Sequence, residues 1–189
     1  MISKSRFFSF TRKILGQMDT NMYLLDFGKK CLIIDPADDA SSIINLVSNK
    51  CPKATPEIFL THGHFDHILA VPELCEHYKG ITIYASKLDI PVFIDPFNNL
   101  SKEFLNKLIS LEKYIKNMRF IKDGEQLYFN NEHLEVIGLA GHTPGSISIY
   151  SKKQKCAFVG DTLMFESIGA VAFALADDDL MIKNIREKL

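Results

Sequence analysis

Apolar positions along this chain fall into two rhythms, one suited to short strands and one to helices. Apolar runs over residues 21–27 and 30–35 are joined at Gly28, the pattern of a β-hairpin. Between residues 40 and 49, apolar side chains recur at 43, 44, 46 and 47, as one face of a helix. Residues 57–61 read as a strand. A helix is predicted over 67–78, with Ile68, Val71, Leu74 and Cys75 on one side, and a strand over 81–85. From about 98 to 116 the spacing of Phe104, Leu105, Leu108, Ile109 and Ile115 predicts helical structure, with Ser101 as its N-cap. Strands resume at 118–121, 126–129, 133–139, 146–150 and 156–160, with turns at Asn130-Asn131 and 151–154, and a last helix covers 177–188.

This order predicts an α/β layer architecture. With no linker or low-complexity stretch, the chain reads as one domain over 1–189, built of two halves, about 18–100 and 118–189. The halves echo each other: a strand ending in Leu60-Thr61-His62-Gly63-His64 is matched by one ending in Leu139-Ala140-Gly141-His142, so their ends are expected to face a shared cleft.

Composition narrows the function classes. With 189 residues, 47% hydrophobic, only 10 Gly and a net charge of −1, a coiled coil, collagen or a disordered tail is excluded. The balance of 22 basic against 23 acidic residues argues against a nucleic-acid partner, and Lys29-Lys30 and Lys152-Lys153 read as solvated turns. Cys31, Cys51, Cys75 and Cys156 are too scattered for a disulfide framework, which fits a reduced, cytoplasmic setting. Thr11-Arg12-Lys13 interrupts the N-terminal apolar residues, so no signal peptide is expected. The longest apolar run, 168–176, is far shorter than the roughly 20 residues that span a bilayer.

Four of the six histidines lie in two short segments. His62, His64, Asp66 and His67 follow a strand. Alternate residues of an extended chain point the same way, so His62 and His64 can offer two imidazoles to one ion. Asp66 and His67 sit where the chain turns into a helix, within reach of a second position. Imidazole with carboxylate suits Zn, Fe or Mn better than Ca or Mg. His142 stands in a Gly- and Pro-rich turn, 141–146, which fixes its imidazole, and Asp161 ends a later strand. His77 and His133 stand alone and read as structural.

The segments Leu60-Thr61-His62-Gly63-His64-Phe65-Asp66-His67, Gly141-His142-Thr143-Pro144-Gly145-Ser146 and Phe158-Val159-Gly160-Asp161-Thr162-Leu163 together resemble the metallo-β-lactamase superfamily, most of all its short glyoxalase II-like members. Ile33-Ile34-Asp35-Pro36 extends the likeness over nearly the whole chain. The resemblance implies an αββα sandwich with a metal cleft at one sheet edge. It implies that His62, His64 and His142 hold a first ion, that Asp161 bridges, and that Asp66 and His67 serve a second. Family members usually carry a later Gly-Arg-x-Asp segment and a further histidine. Here Gly169 leads into Ala170-Val171-Ala172-Phe173 and no histidine follows His142, so the C-terminal edge reads as truncated. One tight Zn and a weak or absent second ion are therefore expected, with Fe or Mn as alternatives. The run 168–176 is expected either to fill the missing sheet edge or to seek a second chain as a homodimer.

The activity so implied is hydrolysis of a thioester such as S-lactoylglutathione. A metal lowers the pKa of water from about 15.7 toward about 7 and the hydroxide attacks the carbonyl, with Asp66 orienting that water. Alternatives that the resemblance leaves open are an iron persulfide dioxygenase using His62, His142 and Asp161, a lactamase or lactonase, and a member that binds metal without turnover. An RNA-processing nuclease is disfavoured by length and by the lack of a basic face.

Overall fold

In a computed structural model of the chain, residues 8–130 and 132–189 are described. The basic and apolar residues 1–7 and Asn131 of the expected 130–131 turn lie outside them.

Two sheets form the centre. The larger has six strands in sequential order: β1 (Ser9–Leu15), β2 (Thr20–Asp26), β3 (Lys30–Ile34), β4 (Thr55–Phe59), β5 (Ile83–Ser86) and β6 (Met118–Ile121). β1, β2 and β3 pair antiparallel, and β3 through β6 run parallel. The smaller is an antiparallel meander of β7 (Gln126–Phe129), β8 (Glu132–Gly138), β9 (Ile147–Ser151) and β10 (Cys156–Phe158).

Strand alternation decides what each face buries. On β2 and β3, Met22, Leu24, Cys31 and Ile33 belong to one buried cluster with the inward residues of helices α1 (Ala40–Lys50) and α3 (Val71–His77). The intervening Leu25, Leu32 and Ile34 belong to a second cluster, shared with Leu127, Leu134, Val136 and Ile149 of the smaller sheet. Burial on both faces explains why β3 reads as a continuous apolar run over Cys31–Ile34 rather than an alternating one.

Several elements depart from expectation. β1 has no strand signal in the sequence: it is an edge strand with no fully buried residue, so Thr11, Arg12 and Lys13 are tolerated in it. The helix expected over 67–78 is broken into α2 (Phe65–Ile68) and α3, with Pro72 in the first turn of α3. Over 98–116 only α5 (Ser101–Leu105) is α-helical. Leu100 caps it in the left-handed region at φ 68, Asn106 ends it at φ 51, and a 3-10 turn covers Glu112–Asn117. Ser101 is inside the helix rather than its N-cap, and its hydroxyl accepts from the Ile109 N–H at 3.2 Å. A short α4 (Ile90–Ile94), with Pro91 in its first turn, had no periodic signal. The run 168–176 fills no sheet edge. It starts in the small hairpin of β11 (Leu163–Met164) and β12 (Ser167–Ile168) and continues as irregular chain. The last helix, α6 (Asp178–Lys188), falls where expected, with the Asp177 carboxylate accepting from the Leu180 N–H at 2.9 Å. Among the described residues, no helix is long and apolar enough to cross a membrane.

Candidate metal centre

Three strand ends deliver the site. The loop after β4 carries His62 and His64, and α2 begins at once and places Asp66 and His67. The loop between β8 and β9 carries His142. The 3-10 turn Gly160–Thr162 after β10 carries Asp161.

All six residues singled out in the sequence come together. Ligand-type atoms of His62, His64 and His142 lie within 4.8 Å of one another, as do those of His62, His67 and Asp161. His64 Nδ1 approaches His142 Nε2 at 2.9 Å. His67 Nε2 lies 3.3 Å from an Asp66 oxygen and 3.2 Å from an Asp161 oxygen.

Neighbours outside the set of candidate ligands orient these rings. Thr61 donates its hydroxyl to Asp35 at 2.7 Å, so that oxygen is left to accept from His62 Nδ1–H at 3.0 Å. This fixes the His62 tautomer and leaves its Nε2 buried, unpartnered and with a lone pair. His142 Nδ1–H donates to the Ala170 carbonyl at 2.7 Å, which leaves its Nε2 as the acceptor facing His64 Nδ1. Asp35 lies 3.0 Å from His67 Nδ1, and the Thr20 hydroxyl donates to Asp66 at 2.6 Å. Asp35 ends an apolar strand before Pro36, and that signal could have found it. Thr20 had none.

Asp89 joins the two histidine loops. Its carboxylate accepts from Gly63 N–H at 2.9 Å, Gly145 N–H at 2.7 Å and the Thr143 hydroxyl at 2.9 Å. Gly145 is required at this approach, since a Cβ there would lie 2.6 Å from the Asp89 backbone nitrogen. Burial pushes the Asp89 carboxyl up to about 6, against the pull of these three donors.

Electrostatics divides the cluster. Burial, followed by the neighbouring imidazoles, holds His62 well below the ordinary histidine range and lowers His64 to about 3. Burial also lowers His142. Neutral imidazole is the state that ligates a metal. Burial likewise opposes charge on His67, but Asp35, Asp161 and Asp66 outweigh it and raise its pKa. Burial opposes ionisation of Asp66 too, yet His67 and the Thr20 hydroxyl hold its carboxyl well below the usual range. Three converging neutral rings, one with an orphaned buried nitrogen, beside two ionised carboxylates fit a transition-metal ion of the Zn or Fe type.

Residues 15–187 match the family described as the metallo-beta-lactamase superfamily. The chain belongs to that superfamily. Hydroxyacylglutathione hydrolase GloC of Haemophilus influenzae is 30% identical over 164 residues, covering 87% of this chain and 76% of that protein. The crystal structure of the BLEG-1 B3 metallo-beta-lactamase superposes with a TM-score of 0.84 at 31% identity, over 96% of this chain and 85% of that one. TTHA1623, crystallised in a di-iron-bound form, superposes with a TM-score of 0.78 at 27% identity, over 93% and 84%. The expected metallo-β-lactamase sandwich is thus the observed fold, and metal binding through His and Asp groups is a property of the superfamily.

Proposed function

We propose that this chain is a metal-dependent hydrolase of a thioester, with one ion held by His62, His64 and His142. The observation that carries this reading is the convergence of these three imidazoles beside a cleft of about 520 Å³, which His64, Asp66, His67, His142 and Asp161 help to line. A bound Zn or Fe ion would supply Lewis acidity and water activated near neutral pH. The chain's own residues do the rest. Asp66, ionised and steered by Thr20, accepts a proton from an attacking water. Phe173 packs edge-on to His64 and His142, with ring centroids at 5.3 and 5.9 Å, and keeps bulk water from their outer edges. A thiolate leaving group, whose acid has a pKa near about 8.5, needs little proton donation from the protein.

Asp66, His67 and Asp161 form a second set with one imidazole, and that imidazole also faces Asp35. This supports one tightly held ion and a second that exchanges. Purified chain loaded with Zn, Mn or Fe should retain close to one ion after desalting and should hydrolyse S-lactoylglutathione or simple acyl thioesters. Two retained ions would overturn the stoichiometry. Absence of thioester turnover with every metal would overturn the activity. A β-lactam belongs in the same panel because of the likeness to BLEG-1.

A further inference from the structure

The cleft beside the histidines combines an apolar rim with a floor of imidazoles and carboxylates. Met18 in the β1–β2 turn, the Phe65–Phe104 stack (ring centroids 5.8 Å apart) and Phe173 line its interior and rim. The β11–β12 hairpin adds Leu163, Met164 and Phe165 at the mouth. Phe165 is 90% exposed, and Met18, Phe104, Leu163 and Met164 are each exposed as well. A contiguous apolar rim of this kind on a cleft marks a surface kept for a ligand. None of the described lining residues is Lys or Arg. Asp19, Asp35, Asp66 and Asp161 are the carboxylates that face the space.

Resting on the hydrolase reading, we infer that the cleft takes a thioester whose acyl group is an extended hydrocarbon chain and whose thiol arm is uncharged where it lies in the cleft. Two physical reasons support this. The thiol carrier glutathione brings two carboxylates, and desolvating a carboxylate without a cation to receive it is costly. A hydrocarbon acyl chain instead finds aromatic and thioether side chains that adapt to its length. The step is ordinary hydrolysis: water's oxygen bonds to the acyl carbon, the C–S bond breaks, and the sulfur leaves as thiolate, giving a carboxylic acid and a thiol.

Two readouts on the metal-loaded full chain test this. In the first, kcat/KM is measured for acetyl, butanoyl, hexanoyl and octanoyl thioesters of N-acetylcysteamine, and for S-lactoylglutathione. Each fully buried methylene is worth roughly fourfold, so burying even about two of the roughly six that octanoyl adds to acetyl should raise kcat/KM by about tenfold or more. In the second, calorimetry compares S-octyl-N-acetylcysteamine with S-octylglutathione, which share the alkyl chain and cannot be hydrolysed. The uncharged thioether should bind more tightly. Phe165→Ala, at an exposed position where folding is little affected, should shrink the octanoyl advantage. Tighter binding of S-octylglutathione, or a flat response to chain length, would overturn the inference while leaving hydrolysis intact. If no thioester is hydrolysed, the hydrolase reading fails, and the two thioethers still report what the cleft prefers. A dimer that Phe165→Ala dissolves, together with a flat chain-length response, would assign the rim to a second copy of the chain.

Discussion

Asp89 touches no candidate ligand, yet it controls where two of them sit. Its three donors come from both histidine loops, so Asp89→Asn must turn an amide N–H toward one of them. We expect a loss of about 1–3 kcal/mol, the cost of one unsatisfied buried donor, and faster metal loss to a chelator. Denaturant unfolding with and without metal, alongside chelator kinetics, measures both; an unchanged off-rate would remove Asp89 from the site's support. Asp66 has the opposite signature. Asp66→Ala should lower kcat by about 10²–10⁴-fold while retained metal stays near its starting level, and unchanged turnover would refute its role as proton acceptor. The two residues also differ in legibility. Asp66 stands within five positions of His62, and alternation along an extended chain exposes the group. Asp89 meets Gly145 across 56 residues and Thr20 meets Asp66 across 46, separations that no local pattern records.

Among the elements, α6 holds the His142 loop from behind. The Asp177 N–H donates to the Gly141 carbonyl at 2.7 Å, Asn184 donates to the Ala140 carbonyl at 2.8 Å, and Met181 is fully buried. Gly141 makes this packing feasible: its φ is +145, and a Cβ there would lie 2.3 Å from Met181 Cβ. Gly141→Ala should therefore push α6 from the loop, destabilise by about 1–3 kcal/mol as overpacking does, and weaken metal retention. Thermal unfolding and metal analysis of the variant test this together. The sequence pattern located α6 because its cap and periodicity are local, and it located β6 and β7 for the same reason. Over 98–116 Phe104 and Leu108 have helical spacing but remain exposed, and the backbone leaves the helix at Asn106 in the left-handed region. Spacing alone does not say whether a face has anything to pack against.

At the scale of the whole molecule, two buried clusters share the larger sheet as their common wall, and the loop after its β4 meets the loops after β8 and β10 of the smaller sheet. The apolar fraction and the β-strand count made that layering legible. The course of 169–177 was not, because a run this apolar suits a sheet edge and a second chain equally well. Instead, its Ala170 carbonyl and Phe173 ring close over His142.

The short contact between His64 and His142 links positions 78 apart in the chain. Bringing such distant positions together costs loop-closure entropy, and non-local contacts of this kind form late. Refolding in the presence of Co²⁺ should thus show far-UV ellipticity returning first and the visible band of the three-imidazole ion afterwards. A band that rises with the ellipticity would mean that the ion recruits its ligands before the sheets meet. With the lag observed, the colour of the metal becomes a clock for the docking of one sheet on the other.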